Sequence, residues 1–291
     1  MIKYTKPKVI AEIGCNHKGE LEIAKELMLL AKESGADIAK FQKRNNKELL
    51  SSEQYNAPHP NPKNSYGDTY GAHREFLEFS TEEHKELQYY GKKIGIEYST
   101  SVWDCTSAQD IITLNPSLIK IPSGCNTNYA LLEILRDTYN GEIHISLGMT
   151  TKEEEKQIIE LFKHNNKIDQ LVLYACTSGY PIACSDACLL EILRIKELYG
   201  KQIKCVGYSG HHLGTNLDIA AYTLGAEYIE RHFTKNKNWK GTDHSASLEP
   251  DELTLLINSL NEVEQALRYK TQDILDIEID QRKKLKYGCY R

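Results

Sequence analysis

Residues 8–42, KVIAEIGCNHKGELEIAKELMLLAKESGADIAKFQ, read as strand, helix and strand in succession. The two ends, KVIAEIGC and ADIAKFQ, are short apolar runs bounded by charge and turn residues. Between them Ile23, Leu27, Leu30 and Ala31 fall at i, i+4, i+7 and i+8, which draws one apolar stripe along a helix. A strand, a helix that packs back on it and a second apolar strand form the repeating unit of a parallel sheet. Six more such runs follow: IGIEYST from Ile94, SLIKIPS from Ser117, EIHISLG from Glu142, QLVLYAC from Gln170, IKCVGYS from Ile203 and AEYIERHF from Ala226. Eight units predict a (β/α)8 TIM barrel, α/β in class, which typically takes about 250 residues as one domain. The barrel is expected over residues 1–270.

Helix boundaries support this reading. Ser80 with Glu83, and Thr151 with Glu154, have the hydroxyl-to-glutamate spacing of a capping box, in which each side chain satisfies the other's backbone N–H. Leu253, Leu256, Leu260, Val263 and Leu267 supply the apolar face of a last helix that starts near Pro250.

With 40% hydrophobic and 26% charged residues the chain has ordinary globular values and can bury a large core. The net charge of -5 is spread without a basic run, which argues against a nucleic-acid partner. The eight cysteines are scattered, and the nearest pair, Cys184 and Cys188, lacks the C-x-x-C spacing of zinc or redox sites, so reduced structural thiols are expected. No N-terminal secretory pattern is present and no window approaches the ~18 apolar residues of a membrane span. A cytoplasmic location is expected.

Two segments break the repeat. The stretch 43–79, with NAPHPNPKNSYGDTYG at its centre, reads as a polar loop, and structureless loops above about 15 residues usually act as lids or binding loops. The tail 271–291 is charged, too short for a domain, and resembles a linker.

Chemistry in such a barrel is expected where strands end at their C-terminal side. In chain order that gives Glu12, Asn16 and His17; Lys40 and Gln42; Ser99, Thr100 and Ser101; Lys120 and Ser123; Tyr180; Ser209 and His211; Arg231 and His232. Lys40 and Lys120 sit within apolar strands, where an unpaired charge costs several kcal/mol. Either an anionic ligand bearing phosphate and carboxylate groups meets them, or each pairs with a barrel glutamate such as Glu12 or Glu230. His211 and His232 end neighbouring strands, so their imidazoles can converge on one metal with Glu12 close by; the alternative is a pair of satisfied core histidines. His212 and His244 are weaker candidates, and His17 either donates to a ligand or caps the first loop.

These residues lie in motifs that resemble, in order, those of the sialic acid synthases, also called N-acetylneuraminate synthases. The motifs are AEIGCNHKGELEIAKELMLLAKESGADIAKFQ, YGDTYGAHREFLEFS, IKIPSGCNTN, CTSGYP, GYSGHH and ERHFTKNKNWKGTDHSASLEP. The resemblance implies a synthase that condenses phosphoenolpyruvate with an N-acetylated amino sugar such as N-acetylmannosamine, releasing phosphate and forming a nine-carbon 2-keto sugar acid. It implies that His211 and His232 bind a divalent metal, manganese or else magnesium. It implies that Lys40, Thr100, Lys120, Ser123, Ser178 and Ser209 surround phosphoenolpyruvate, and that Gln42, Tyr180 and Asp243 contact the sugar. Glu12 falls on the carboxylate beside metal and aldehyde, and a homodimer is implied.

The chain departs from the family in two places. Cys125 stands where relatives carry an acidic residue that contacts the sugar, and a thiol lacks a carboxylate's acceptor capacity, so that contact is expected to be lost or altered. The acceptor then ranges over N-acetylmannosamine, its 6-phosphate and the diacetamido-dideoxy hexoses of legionaminic or pseudaminic acid. The second departure is that the antifreeze-like domain which covers the partner's site in the family does not follow Arg291. The cap is expected to be missing, replaced by 43–79, or supplied by a separate chain. Two further readings stand beside this one. A sugar phosphate acceptor of the seven- or eight-carbon keto acid synthases is disfavoured by WKGTDHSASLEP, and a non-catalytic sugar-acid-binding barrel has no evident need for Glu12, both lysines and both histidines.

Overall fold

The computed structural model describes residues 4–288. Eight parallel strands close into a barrel in sequence order: β1 (Lys8–Gly14), β2 (Ile38–Lys43), β3 (Glu97–Val102), β4 (Leu118–Ile121), β5 (Glu142–Ser146), β6 (Leu171–Cys176), β7 (Cys205–Gly210) and β8 (Tyr228–His232). Each contains the centre of a predicted apolar run. The third run extended too far, because Ile94 ends a helix and Gly95, at φ +77°, makes the left-handed turn that stops it.

Helix α1 (Leu21–Glu33) follows β1, and three short helices α2 (Asn46–Leu49), α3 (Ser52–Asn56) and α4 (Tyr70–Phe76) follow β2. The outer ring continues with α5 (Thr81–Ile94), α6 (Cys105–Leu114), α7 (Tyr129–Thr138), α8 (Lys152–Lys163), α9 (Leu190–Tyr199), α10 (Asn216–Thr223) and α11 (Pro250–Ala266). Both predicted capping boxes form, at Ser80 with Glu83 and Thr151 with Glu154. Helix α1 buries Ala24, Leu27, Met28 and Ala31, so its core stripe is centred slightly off the predicted one, with Ile23 and Leu30 at its margins. Helix α11 buries Leu253, Leu256 and Leu260 as expected, with Ile257 added, and starts on Pro250.

The alternation of side chains along each strand divides the interior into two. Outward residues such as Val9, Ala11, Ile13, Ala39, Phe41, Ile119 and Ile121 pack on the helices. Inward residues form a separate apolar plug at the strand starts, comprising Ile10, Ile38, Leu118, Val172, Tyr174, Cys205 and Tyr228. Two residues beyond the plug the inward positions become polar: Ile10 gives way to Glu12, Ile38 to Lys40, Leu118 to Lys120 and Tyr228 to Glu230. The polar layer sits at the C-terminal end of the barrel, where a (β/α)8 fold carries its chemistry.

Segment 43–79 is not the structureless loop expected. Ser51 caps α3 and Thr69 caps α4, and the Gly71 backbone lies directly against the Tyr55 ring, where a Cβ would have no room. The tail also has structure, since α12 spans Asp276–Leu285, although it buries no side chain. Among the described residues the seven cysteines are free and no helix is long and apolar enough to cross a membrane.

Candidate active site

A cavity of about 400 Å3 opens at the C-terminal ends of the strands. Glu12, Lys40 and Lys120 line it, as do Gln42, Tyr180 and Asp243, the serines Ser123, Ser178 and Ser209, and the histidines His211 and His232. Thr100 is the exception. On β3, Ser99 and Ser101 stand in register with the inward Lys40 and Gln42, so Thr100 falls on the outward face among the helices. Its burial there corrects the expectation that it meets the ligand; Ser101 lines the cavity instead and accepts from Lys40 Nζ at 2.8 Å.

The floor is a cluster of four charges. Glu12 is in register with Lys40 on one side and His232 on the other, and its carboxylate pairs with the Lys40 ammonium. Glu230 receives Lys120 Nζ at 2.9 Å and Ser209 Oγ at 3.1 Å, with Lys40 Nζ at 3.8 Å. Burial alone would raise the Glu230 carboxyl, but the Lys120 and Lys40 ammoniums override it and hold it well below the usual carboxylate range. Burial lowers Lys120, and Glu230 only partly opposes that. Both lysines therefore pair with glutamates, one of the two sequence readings, and both still face the cavity an anion would enter.

Glycines make room for this layer at two positions. Gly14, at φ +55°, passes close to Gln42 and Glu12, and a Cβ there would lie 2.9 Å from Gln42 Nε2. The amide so admitted donates to Glu12 Oε1 at 2.8 Å. Gly148 N–H donates to Ser123 Oγ at 3.1 Å, and a Cβ on Gly148 would lie 2.7 Å from that hydroxyl and collide with Ser178 Oγ. The Gly148 N–H thus fixes Ser123 beside Ser178, and the two hydroxyls form a cradle suited to anionic oxygens.

His211 and His232 are brought together, with ring centroids 5.7 Å apart, and Tyr180 lies against both. His211 Nδ1 donates to the Thr177 carbonyl at 2.8 Å, which leaves the Nε2 lone pair available. Burial first, and His232 second, push His211 down to about 4, so it is neutral at physiological pH. His232 Nδ1 is buried with no hydrogen-bond partner. An orphaned imidazole nitrogen beside an oriented neutral one is a donor pair suited to a divalent metal. Among the described residues no group of three or more His, Cys, Asp or Glu is arranged as a complete metal shell, so the pair would share the ion with water or substrate.

Other strand-end residues serve the scaffold. His17 stacks on Phe79 at 4.0 Å and accepts from Gly19 N–H, the capping role rather than the ligand one. Asn16 donates to the Phe233 carbonyl and Ser247. Arg231 points outward, to Asp218 on α10 and to the His212 and Gly214 carbonyls. His244 binds Thr234 Oγ1 at 2.7 Å. Cys125 turns from the cavity and donates its thiol to the Val102 and Pro122 carbonyls, and burial raises its pKa.

Several of the residues missed by sequence reasoning come from 43–79. Arg44, His73, Arg74 and Leu77 line the cavity. Arg44 stacks over Trp103 at 4.4 Å and donates to Glu78 Oε1 at 3.2 Å. The alternation Lys40, Gln42, Arg44 could have found Arg44; no periodicity marked Arg74, because the fold of the excursion places it.

The sequence profile of the NeuB family matches residues 27–272. N-acetylneuraminate-9-phosphate synthase of Mus musculus is 40% identical over 278 residues, covering 95% of this chain and 76% of the mouse protein. The Homo sapiens protein of the same name is 39% identical with the same coverage. The crystal structure of an N-acetylneuraminic acid (sialic acid) synthetase from Leptospira borgpetersenii superposes with a TM-score of 0.80 at 26% identity, covering 97% of this chain and 93% of that one. With a profile match across most of the barrel and relatives aligned over nearly its whole length, the chain belongs to the NeuB family.

Proposed function

We propose that phosphoenolpyruvate lies in the floor of the cavity between Lys40 and Lys120, that an N-acetylated hexosamine sits above it, and that a divalent metal, Mn2+ or else Mg2+, is held by His211 and His232. The overall reaction follows from family membership: phosphoenolpyruvate and an amino sugar are condensed to a nine-carbon keto-sugar acid with release of phosphate. The observation that supports the assignment of parts is the convergence of two buried lysines, a serine and glycine cradle and two neighbouring imidazoles in one cavity.

C3 of phosphoenolpyruvate forms a bond to the aldehyde carbon of the open-chain sugar, water adds at C2, and phosphate leaves with cleavage of its C–O bond. A bound divalent metal supplies Lewis acidity toward the aldehyde oxygen. Lys40 and Lys120 hold the carboxylate and phosphate, Ser123 and Ser178 donate hydrogen bonds to their oxygens, and Ser209 joins them once its hydroxyl turns from Glu230. Glu12 takes the proton of the water that adds at C2, a role supported by its register position between Lys40 and His232. Gln42, Tyr180 and Asp243 orient the sugar. Barrel residues 1–270 are the reacting unit, and the 271–291 tail takes no part in the chemistry.

A phosphorylated acceptor is the second reading, favoured by the mouse and human names, which specify a 9-phosphate product. Three carbons come from phosphoenolpyruvate, so C9 of such a product is C6 of the hexosamine. The deciding experiment supplies phosphoenolpyruvate and Mn2+ with N-acetylated hexoses and their 6-phosphates, and follows phosphate release and product mass. Turnover with an amino sugar is expected; none with any acceptor would favour a binding-only barrel. The barrel is further proposed to act as a homodimer, and a monomer by light scattering at assay concentration would exclude that.

A further inference from the structure

Three of the cations lining the cavity have a carboxylate partner: Lys40 has Glu12, Lys120 has Glu230, and Arg44 has Glu78. Arg74, on α4, does not. Its Nε and Nη2 donate to Tyr70 Oη at 3.0 and 2.8 Å, and among the described residues no carboxylate lies within ion-pair distance of it. The Tyr70 hydroxyl thus aims the guanidinium without neutralising it, and leaves Nη1 and one N–H of Nη2 for a ligand. Arg74 is also within electrostatic reach of Asp243, one of the residues assigned to the sugar. The surroundings carry more positive charge: Lys240 Nζ lies 4.7 Å from the Tyr66 ring centre and has no carboxylate partner among the described residues. Burial holds His73 down to about 4, with His59, Arg74 and Lys240 adding to the effect.

A neutral hexosamine would leave this charge with nothing to meet, whereas a guanidinium fork matches phosphate oxygens in shape and charge. We propose that Arg74 is the subsite for a phosphate carried on the acceptor, so that the acceptor is a hexosamine phosphorylated at C6, remote from its reacting aldehyde. This rests on the reading of the cavity as the condensation site. Segment 43–79 then selects the acceptor while the barrel floor performs the chemistry, and the two functions lie on separate parts of the chain.

The test compares wild type, Arg74→Gln and Arg74→Lys with phosphoenolpyruvate and Mn2+, using N-acetylmannosamine and N-acetylmannosamine 6-phosphate as acceptors. Wild type is expected to favour the 6-phosphate in kcat/KM. Arg74→Gln should reduce the ratio between the two acceptors at least tenfold, mainly through KM, and Arg74→Lys should recover part of it. An unchanged ratio, with both acceptors losing equally, would show a general positioning contact and overturn the proposal, as would a wild type with no preference for phosphate. Should no acceptor turn over, the condensation reading fails by itself. Calorimetric titration with N-acetylmannosamine 6-phosphate then decides the subsite, since equal affinity of wild type and Arg74→Gln, or no binding to wild type, rejects it.

Discussion

Lys120 Nζ donates to Glu230 Oε2 at 2.9 Å while lying 3.5 Å from the centre of the Tyr174 ring, so the ammonium is enclosed by a carboxylate and a π face. Burial lowers the pKa of this lysine, and the carboxylate opposes that by favouring the charged form. An anion in the floor needs Lys120 protonated, so its binding fades as pH rises through the lysine's pKa. Glu230→Gln removes the opposing charge and lowers that pKa further. The alkaline limb of a KM profile for phosphoenolpyruvate should therefore move to lower pH in the variant. An unmoved limb would mean that Lys120 does not govern binding.

His211→Ala and His232→Ala should each abolish Mn2+-dependent phosphate release. Isothermal titration of each variant with Mn2+ should show the loss of binding directly. Normal activity in either variant would remove the pair as the metal site.

Arg231 is 1% exposed and is held by Asp218, itself fully buried, while its guanidinium also ties down the His212 and Gly214 carbonyls beside His211. Removing one partner of such a pair strands the other charge, which costs about 3–5 kcal/mol. Asp218→Asn should lower the stability measured by urea unfolding by that order, and should weaken Mn2+ affinity because the loop carrying His211 loosens. A stability change below about 1 kcal/mol would show that the pair is not fully desolvated.

His84 is completely buried, bonded through Nδ1 to the Tyr98 hydroxyl at 2.8 Å, with Nε2 unpartnered. Burial pushes it from its ordinary 6.5 down to about 3. The unfolded chain therefore takes up a proton below 6.5 that the folded chain refuses until about 3, and stability present above 6.5 is lost as pH falls through that window. At pH 5 the loss from this residue is about 2 kcal/mol. Unfolding midpoints of wild type and His84→Leu between pH 7 and 5 should show a shallower dependence in the variant, and identical slopes would refute it.

The barrel was legible because period-two alternation and apolar runs are local properties: a strand buried on both faces has to be apolar throughout, and its interruptions mark the chemistry. Lys40 and Lys120 stood out for that reason. His211 and His232 could be paired from strand order alone, since neighbouring strands bring their ends together. Thr100 was misplaced by a single residue, and one residue is enough to turn a strand side chain from the cavity to the helices. Cys125, read as the place of a lost or altered sugar contact, follows the strand end in a short helical turn that rotates its thiol toward backbone carbonyls, a placement no spacing recorded.

By itself the sequence determined the eightfold repeat, the two lysines set within apolar strands and the residues near the strand ends, because each depends on spacing along one element. Tertiary structure alone decided that Lys40 and Lys120 share two glutamates, that 43–79 folds into short helices forming a wall, and that Arg74 on α4 faces the cavity at the strand ends of the barrel. Those relationships join residues on different elements, and no periodicity within one element records which distant charge will lie beside another.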